Sequence, residues 1–333
     1  NPCTMILFKV IDQLTANFIK TVFFSVGILL LYFSCNSADF SKEKETNPTS
    51  PNFILILADD QGWNGTSVKM MHNEPGSKSD YFETPNLELL SERGIRFSDA
   101  YASAPVCAPS RYSIQFGKTP ARLSLIRVGM NTDHINHEGF TSIPKALKKI
   151  NNQYRTAHFG KWHLNQTGPD NHPLPRSDPH NPGELGFDYW LSNTSGFDLG
   201  EFELSRNGKR ETFNGEGSEI IVEEAVKYIR EQAKRNRPVF AVIWYSAPHG
   251  PWTASDEDIA PFLGKVNRTS ANMLGEIVAI DRSIGYLRSS LRDMGIANNT
   301  LIWFTSDNGG TPDSDTLVTG AGEERQVIHP SDC

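Results

Sequence analysis

Apolar runs of strand length recur along this chain, and between them lie stretches with the spacing of amphipathic helices. Residues 51–58 are apolar without alternation, the mark of a parallel strand buried on both faces. Residues 84–94 read as a helix. Pro85 suits its first turn, Leu87, Leu89 and Leu90 give an apolar side, and Gly94 ends it. A short strand is expected at 95–101, a helix at 143–150, a strand at 154–160, a helix at 219–235 and a buried strand at 238–245. Residues 268–294 form a long helix with an apolar stripe through Leu274, Ile277, Ile284, Leu287 and Leu291. Asp281 falls beside that stripe and reads as a structural hydrogen-bonding acid. A last strand covers 300–305. Residues 164–217 are rich in Pro, Asn, Gly and Asp. They are expected to form a long surface excursion with little regular structure, a rim for substrate.

Strands therefore alternate with helices, which predicts a doubly wound, mostly parallel α/β sheet flanked by helices. The polar clusters fall just after the strands: Asp59-Asp60, Lys161-Trp162-His163, His249 and Asp307-Asn308. Open α/β sheets place their ligands outside the carboxyl ends of the strands, so these clusters predict one composite site.

Composition sharpens the picture. The chain has 333 residues, 38% of them hydrophobic, and 32 basic against 39 acidic side chains give a net charge of −7. That suits one large α/β domain or two smaller ones. Mild acidity without a basic cluster excludes a nucleic-acid binder. Lys9 and Lys20 precede an apolar run at 22–33 that ends at Ser34-Cys35. The run has signal-peptide length, and Cys35 after a small residue resembles a lipoprotein cleavage site; an uncleaved anchor helix is the alternative. Either way the body is expected outside the cytoplasm, periplasmic, anchored to an outer membrane or extracellular, with membrane contact only through the leader or a lipid. The expected organisation is a leader at 1–35, a polar tether at 36–50, a catalytic domain at 51–310 and an irregular tail at 311–333.

Cys107 is the only cysteine inside the folded body, since Cys3 and Cys35 lie in the leader and Cys333 is the last residue. An unpaired thiol in an exported protein is a liability, which argues that it is used. Pro109 marks a helix start beside it, and Arg111 lies within reach. A cysteine there sits in a positive field, a site for an anion or for a nucleophile that attacks one. Asp59, Asp60, Asp307 and Asn308 offer only oxygen, which suits a hard cation, Ca2+ ahead of Mg2+. Arg111, Lys161, His163 and His249 supply positive charge and proton donors. Such a set stabilises tetrahedral oxyanions, and sulfate and phosphate esters both fit. A thiolate is too soft for this shell; an oxygen nucleophile makes more sense.

The motifs resemble the type I, formylglycine-dependent sulfatases of the alkaline phosphatase superfamily. The likeness runs through ILADDQG at 56–62, TPNLELLSERGIRFSDAYA at 84–102, CAPSR at 107–111, GKWHL at 160–164, GFDYW at 186–190, APHGPW at 247–252 and FTSDNGG at 304–310. The resemblance implies an alkaline phosphatase-like fold with a smaller C-terminal subdomain. It implies conversion of Cys107 to Cα-formylglycine by a formylglycine-generating enzyme, which yields an oxygen nucleophile that also contacts the metal. Asp59, Asp60, Asp307 and Asn308 then match the calcium ligands. Arg111 would hold the formylglycine, Lys161 would bind sulfate oxygens, His163 would assist proton removal, and His249 would bind sulfate or protonate the leaving oxygen. Lys118 closes the motif in a structural role.

The substrate implied is a sulfate ester, plausibly of a sulfated polysaccharide. Two departures stand out. The family continues its cysteine motif with a Leu-Thr-Gly-Arg type segment, where this chain has Gln115-Phe116-Gly117-Lys118. The family also expects a sulfate-binding lysine after SDNG, whereas no lysine follows Lys265. The C-terminal subdomain is accordingly expected to be largely missing and the chain truncated. The rival readings are a phosphodiesterase or phosphonate monoester hydrolase of the same superfamily, and an inactive exported fragment that binds sulfated glycans.

Overall fold

The computed structural model describes residues 50–310, apart from 128–129, 131, 133–134, 136–138 and 165–173. The expected leader, tether and tail lie outside the described residues. Seven strands form one sheet: β1 (Asn52–Ala58), β2 (Arg155–Lys161), β3 (Tyr189–Asn193), β4 (Leu199–Arg206), β5 (Lys209–Glu216), β6 (Val239–Trp244) and β7 (Thr300–Ser306). Their order across the sheet is β5-β4-β3-β2-β6-β1-β7. The pairs from β3 to β7 are parallel, and β3-β4 and β4-β5 are antiparallel. The doubly wound, mostly parallel sheet is thus as expected.

Side chains alternate between two cores, as pleating requires. Ile54 and Ile56 of β1, with Ala241 and Ile243 of β6, face one core. It is closed by α1 (Pro85–Glu92), α5 (Gly217–Lys234), α6 (Asp256–Ile259) and α7 (Arg268–Asp293). Leu57, Phe240, Val242 and Trp244 face the other core. That core is closed by α2 (Cys107–Phe116), α3 (Pro120–Leu123) and α4 (Ile143–Ile150). Both faces are covered at the centre, which is why the central strands read as unbroken apolar runs. Among the described residues, no helix is long and apolar enough to cross a membrane.

Two expectations fail. Residues 164–217 contain three strands rather than an irregular excursion. The β4-β5 hairpin is antiparallel, with alternating polar and apolar positions, so its apolar content is low. Phe202 and Phe213 face each other across it, their rings stacked 6.1 Å apart. The overlooked signal is Asn207-Gly208, whose φ values of 52° and 91° suit a two-residue hairpin turn. Conversely, 95–101 forms no strand. Phe97 stacks on Trp303 of β7 at 5.2 Å, but Ile95 is 81% and Tyr101 89% exposed. Strand-forming residues become a strand only when they have an edge to pair with and a face to bury. Leu301 and Trp303 of β7 are exposed as well, so this end of the sheet carries an uncovered apolar patch.

Asp281 does the structural work expected of it. Its carboxylate accepts from Asn86 N (3.0 Å), Asn86 Nδ2 (2.9 Å) and Leu87 N (2.8 Å), which caps the first turn of α1 from α7. Asp281→Ala would strand these buried donors. It is expected to lower the unfolding free energy by roughly 2–3 kcal/mol in urea titrations, with Asp281→Asn recovering part of the loss.

Candidate active site

Strand order assembles the site. β1 lies between β6 and β7, so the residues that follow β1 sit between those that follow its neighbours. Asp59 N donates to Ala247 O (3.1 Å), and Asp307 N donates to Ala58 O (3.2 Å). These bonds continue the ladder past the strand ends and pin Asp59 between the 247–249 and 307–308 segments. Asp60 turns away in a left-handed conformation (φ 57°), and its N–H donates to Asp307 Oδ1 at 3.2 Å. Lys161 ends β2 on the other side of β6. Gly160 permits that approach, because a Cβ there would lie 2.0 Å from Trp244 O.

Arg111 ties the parts together. It sits one turn into α2, fully buried, with its guanidinium 4.9 Å from the centre of the Trp244 ring. Its Nε and Nη2 donate to Asp307 Oδ2 (3.1 and 3.0 Å), and its Nη1 donates to Lys161 O (2.8 Å). Its Nη2 also lies 3.1 Å from Asp59 Oδ1, at ion-pair distance but without hydrogen-bond alignment. Lys161 Nζ donates to Asp59 Oδ2. Burial alone would raise the Asp59 carboxyl, but Lys161 and Arg111 outweigh it and hold the group well below the usual carboxylate range. For Asp307, burial and then the charge of Asp59 push upward, with Arg111 opposing.

The donor set fits a hard cation. Ligand atoms of Asp59, Asp60 and Cys107 lie within 4.8 Å of one another. Asp59 Oδ1 and Asn308 Oδ1 are buried without a hydrogen-bond partner, while Asn308 Nδ2 donates to Asp60 Oδ1. Orphaned carboxylate and amide oxygens beside one another are what an oxygen-ligated cation requires.

Cys107 is the first residue of α2, which begins there rather than at Pro109. Its thiol is not activated, contrary to the positive field expected from sequence. Burial pushes it up to about 12, with Asp59 adding to the rise. The physical reason is that Arg111 and Lys161 are already paired with Asp59 and Asp307. Little net positive field reaches the sulfur, so the encoded residue is a protonated thiol rather than a nucleophile.

His163 sits two residues past β2 in a left-handed conformation (φ 53°), its Nδ1 without a partner among the described residues. Burial, then Lys161 and Arg111, push it down to about 3, so it is a neutral base at ordinary pH. His249 Nδ1 lies 2.7 Å from Gly250 O, which fixes that nitrogen as the donor. Its Nε2 is left facing Asp60 Oδ2 at 3.6 Å. All nine residues singled out from sequence thus converge on one locus. Lys118 stays outside it, its Nζ 4.4 Å from the centre of the Phe140 ring.

The sequence profile of the sulfatase family matches residues 51–326. The chain belongs to the sulfatase family. Among curated sulfatases, the N-acetylgalactosamine-6-sulfatase of Mus musculus is 29% identical over 298 residues, spanning 79% of this chain and 51% of that protein. The ulvan-active sulfatase of Formosa agariphila is 28% identical over 296 residues, spanning 83% and 54%. The crystal structure of Ps i-CgsB has a TM-score of 0.66 at 29% identity, covering 79% of this chain and 59% of that one. This sulfatase chain spans about half the length of the curated relatives it matches.

Sequence reasoning missed the groups that support the site. His158 lies buried on β2 among Trp162, Phe187 and Trp244, with Nδ1 2.8 Å from Ser192 Oγ. Burial and then Arg111 hold it well below its ordinary value. The Gln115 departure from the family pattern has a structural cost. Gln115 is fully buried, and neither amide atom has a partner among the described residues. Gln115→Leu is therefore expected to stabilise the fold by roughly 1–3 kcal/mol in urea denaturation. For Cys107, alkylation of the unconverted protein at pH 8 should run about three orders of magnitude slower than that of a free thiol. It should accelerate as pH rises toward 12, when followed by peptide mass spectrometry.

Proposed function

We propose that this chain is the catalytic part of a sulfuric ester hydrolase acting on a sulfated carbohydrate, with Cys107 as the precursor of a formylglycine and Ca2+ as its cation. The observation that carries the reading is the placement of an unactivated cysteine against two carboxylates and an oxygen-only donor set, with Arg111 and Lys161 alongside. A thiol so placed has no work to do as a thiol; an oxygen nucleophile made from it does. Further support comes from the sulfated sugars bound or processed by relatives. One structure of Ps i-CgsB holds a k-i-k-neocarrahexaose, and the mouse and Formosa relatives are named for carbohydrate substrates.

Asp59, Asp60, Asp307 and Asn308 would hold the cation. When present, the cation and the hydrated formylglycine supply charge stabilisation at the sulfate oxygens and a hard oxygen nucleophile. The remaining work falls to side chains already in position. Arg111, locked by Asp307 and Trp244, presents fixed positive charge that needs no reorganisation as charge develops. Lys161 has three ammonium protons and uses one on Asp59, leaving donors for a sulfate oxygen. His163 is neutral and accepts a proton at an otherwise unpartnered ring nitrogen. His249 has its tautomer set by Gly250 O, so its Nε2 carries the proton to or from the leaving oxygen. The apolar run at 22–33 supports an exported location for the whole protein.

The test is made on protein from its native host. Peptides spanning 107–111 are expected to carry formylglycine by mass spectrometry, and an aryl sulfate to be turned over faster than an aryl phosphodiester. Chelation should abolish turnover and added Ca2+ restore it, while Cys107→Ala should leave none. A preference for the diester would replace the sulfatase reading with the phosphodiesterase one. An unmodified Cys107 without turnover would leave only glycan binding.

A further inference from the structure

Three buried carboxyls take no part in the chemistry above. Glu276, on α7, is 1% exposed; its Oε1 accepts from Thr253 N at 2.6 Å, and its Oε2 has no hydrogen-bond partner. Asp198, between β3 and β4, bonds through its side chain to Ser246, while its Oδ1 is buried without a partner. Phe197 N also donates to Ser246 Oγ (3.1 Å), and Asp198 O accepts from Gly217 N (2.6 Å). Glu216 caps α5 by accepting from Glu219 N at 2.8 Å. Ser246 and Thr253 bracket the loop that carries His249. The loop is braced inside by His249 N to Ser246 O (3.2 Å) and Trp252 Nε1 to Pro248 O (2.6 Å). Each end of the loop therefore rests on a buried acid.

We propose that Glu276 is a positioning residue for His249: as a neutral acid it fastens the 253 end of the loop to α7, while Asp198 fastens the 246 end, and ionisation of Glu276 loosens the loop. The proposal rests on the sulfatase reading only for the role of His249.

The charge inventory shows why the neutral form holds. The charged or titratable groups facing Glu276 are Asp198 and Glu216, both carboxyls. Asp198 faces Lys161, Asp59 and His249, and Glu216 faces Glu219. Among these neighbours no cation faces Glu276, and an ionised Glu276 would be a buried, unpaired charge beside two acids. Burial and then Asp198 push Glu276 well above the usual carboxylate range; burial brings Asp198 to about 6 and Glu216 to about 7. A protonated carboxyl keeps Oε1 as the acceptor of Thr253 N and makes the orphan Oε2 a donor. The sign follows from proton linkage. Acids bound more tightly to their protons in the folded state give stability that is complete below the unfolded value near 4.5 and is lost as pH rises through the folded value.

The test compares the chain with Glu276→Gln, which keeps the group neutral at every pH. Two readouts are used between pH 5 and 9: native-state tryptophan emission, assigned to Trp252 by difference from Trp252→Phe, and urea unfolding. In the parent chain the Trp252 emission should change on the alkaline side. Its unfolding constant should rise by up to about tenfold per pH unit relative to Glu276→Gln, which should show neither effect. Should Glu276→Gln not fold, Glu216→Gln removes one repelling acid and should move the parent transition to lower pH. Identical pH dependence in parent and Glu276→Gln, a flat Trp252 emission in the parent, or an unmoved transition in Glu216→Gln would each overturn the proposal. No turnover is measured, so these results stand apart from the sulfatase assay.

Discussion

Arg111 is held on three sides at once, by Asp307, by the ring of Trp244 and by the carbonyl of Lys161, with Asp59 at ion-pair distance. A buried guanidinium is costly to desolvate by several kcal/mol, and only near-complete pairing offsets that. Here the pairing draws on α2, β1, β2 and β7, so the charge can be satisfied only when these elements meet in one arrangement. Removing the arginine would leave Asp59 and Asp307 buried with only Lys161 between them, a change worth roughly 3–5 kcal/mol for a buried pair. The network also explains the inert thiol: cations already committed to carboxylates do not lower the pKa of a neighbouring sulfur.

The same network divides the site into fixed and adjustable parts. Arg111 and Lys161 have almost no exposure and set a constant field. His249 stands on a loop that is half-exposed at its tip and braced at its ends by Ser246 and Thr253. Precision in the anion cradle thus comes from burial. The proton-handling side depends on a loop that rests on acids of the α7 and β3-β4 layers.

Much of this was legible along the chain. The unbroken apolar runs announced β1, β2, β6 and β7, because a strand buried on both faces needs no alternation. The stripe of α7 announced its packing, and Asp281 beside it announced a structural acid. The nine site residues stood immediately after strands or at a helix start, and their chemistry was readable from type alone. The failures have one cause. The β4-β5 hairpin was missed because a strand with one solvated face is as polar as a loop, although Asn207-Gly208 marked its turn. The strand expected at 95–101 was wrong because pairing is a property of the neighbour, and that segment reaches β7 only through Phe97.

By itself, then, the sequence determined the sulfatase family, the parallel α/β sheet and the identity of the oxygen ligands, cations and cysteine, since each is a matter of residue type, order and local periodicity. Only the tertiary structure decided the protonation of those groups. Cys107 as a thiol held near 12, His163 as a neutral base, and Asp198, Glu216 and Glu276 as retained acids all follow from burial and from charges more than 20 residues away in the chain. Desolvation and Coulomb terms depend on distance in space, and no spacing along the chain records them.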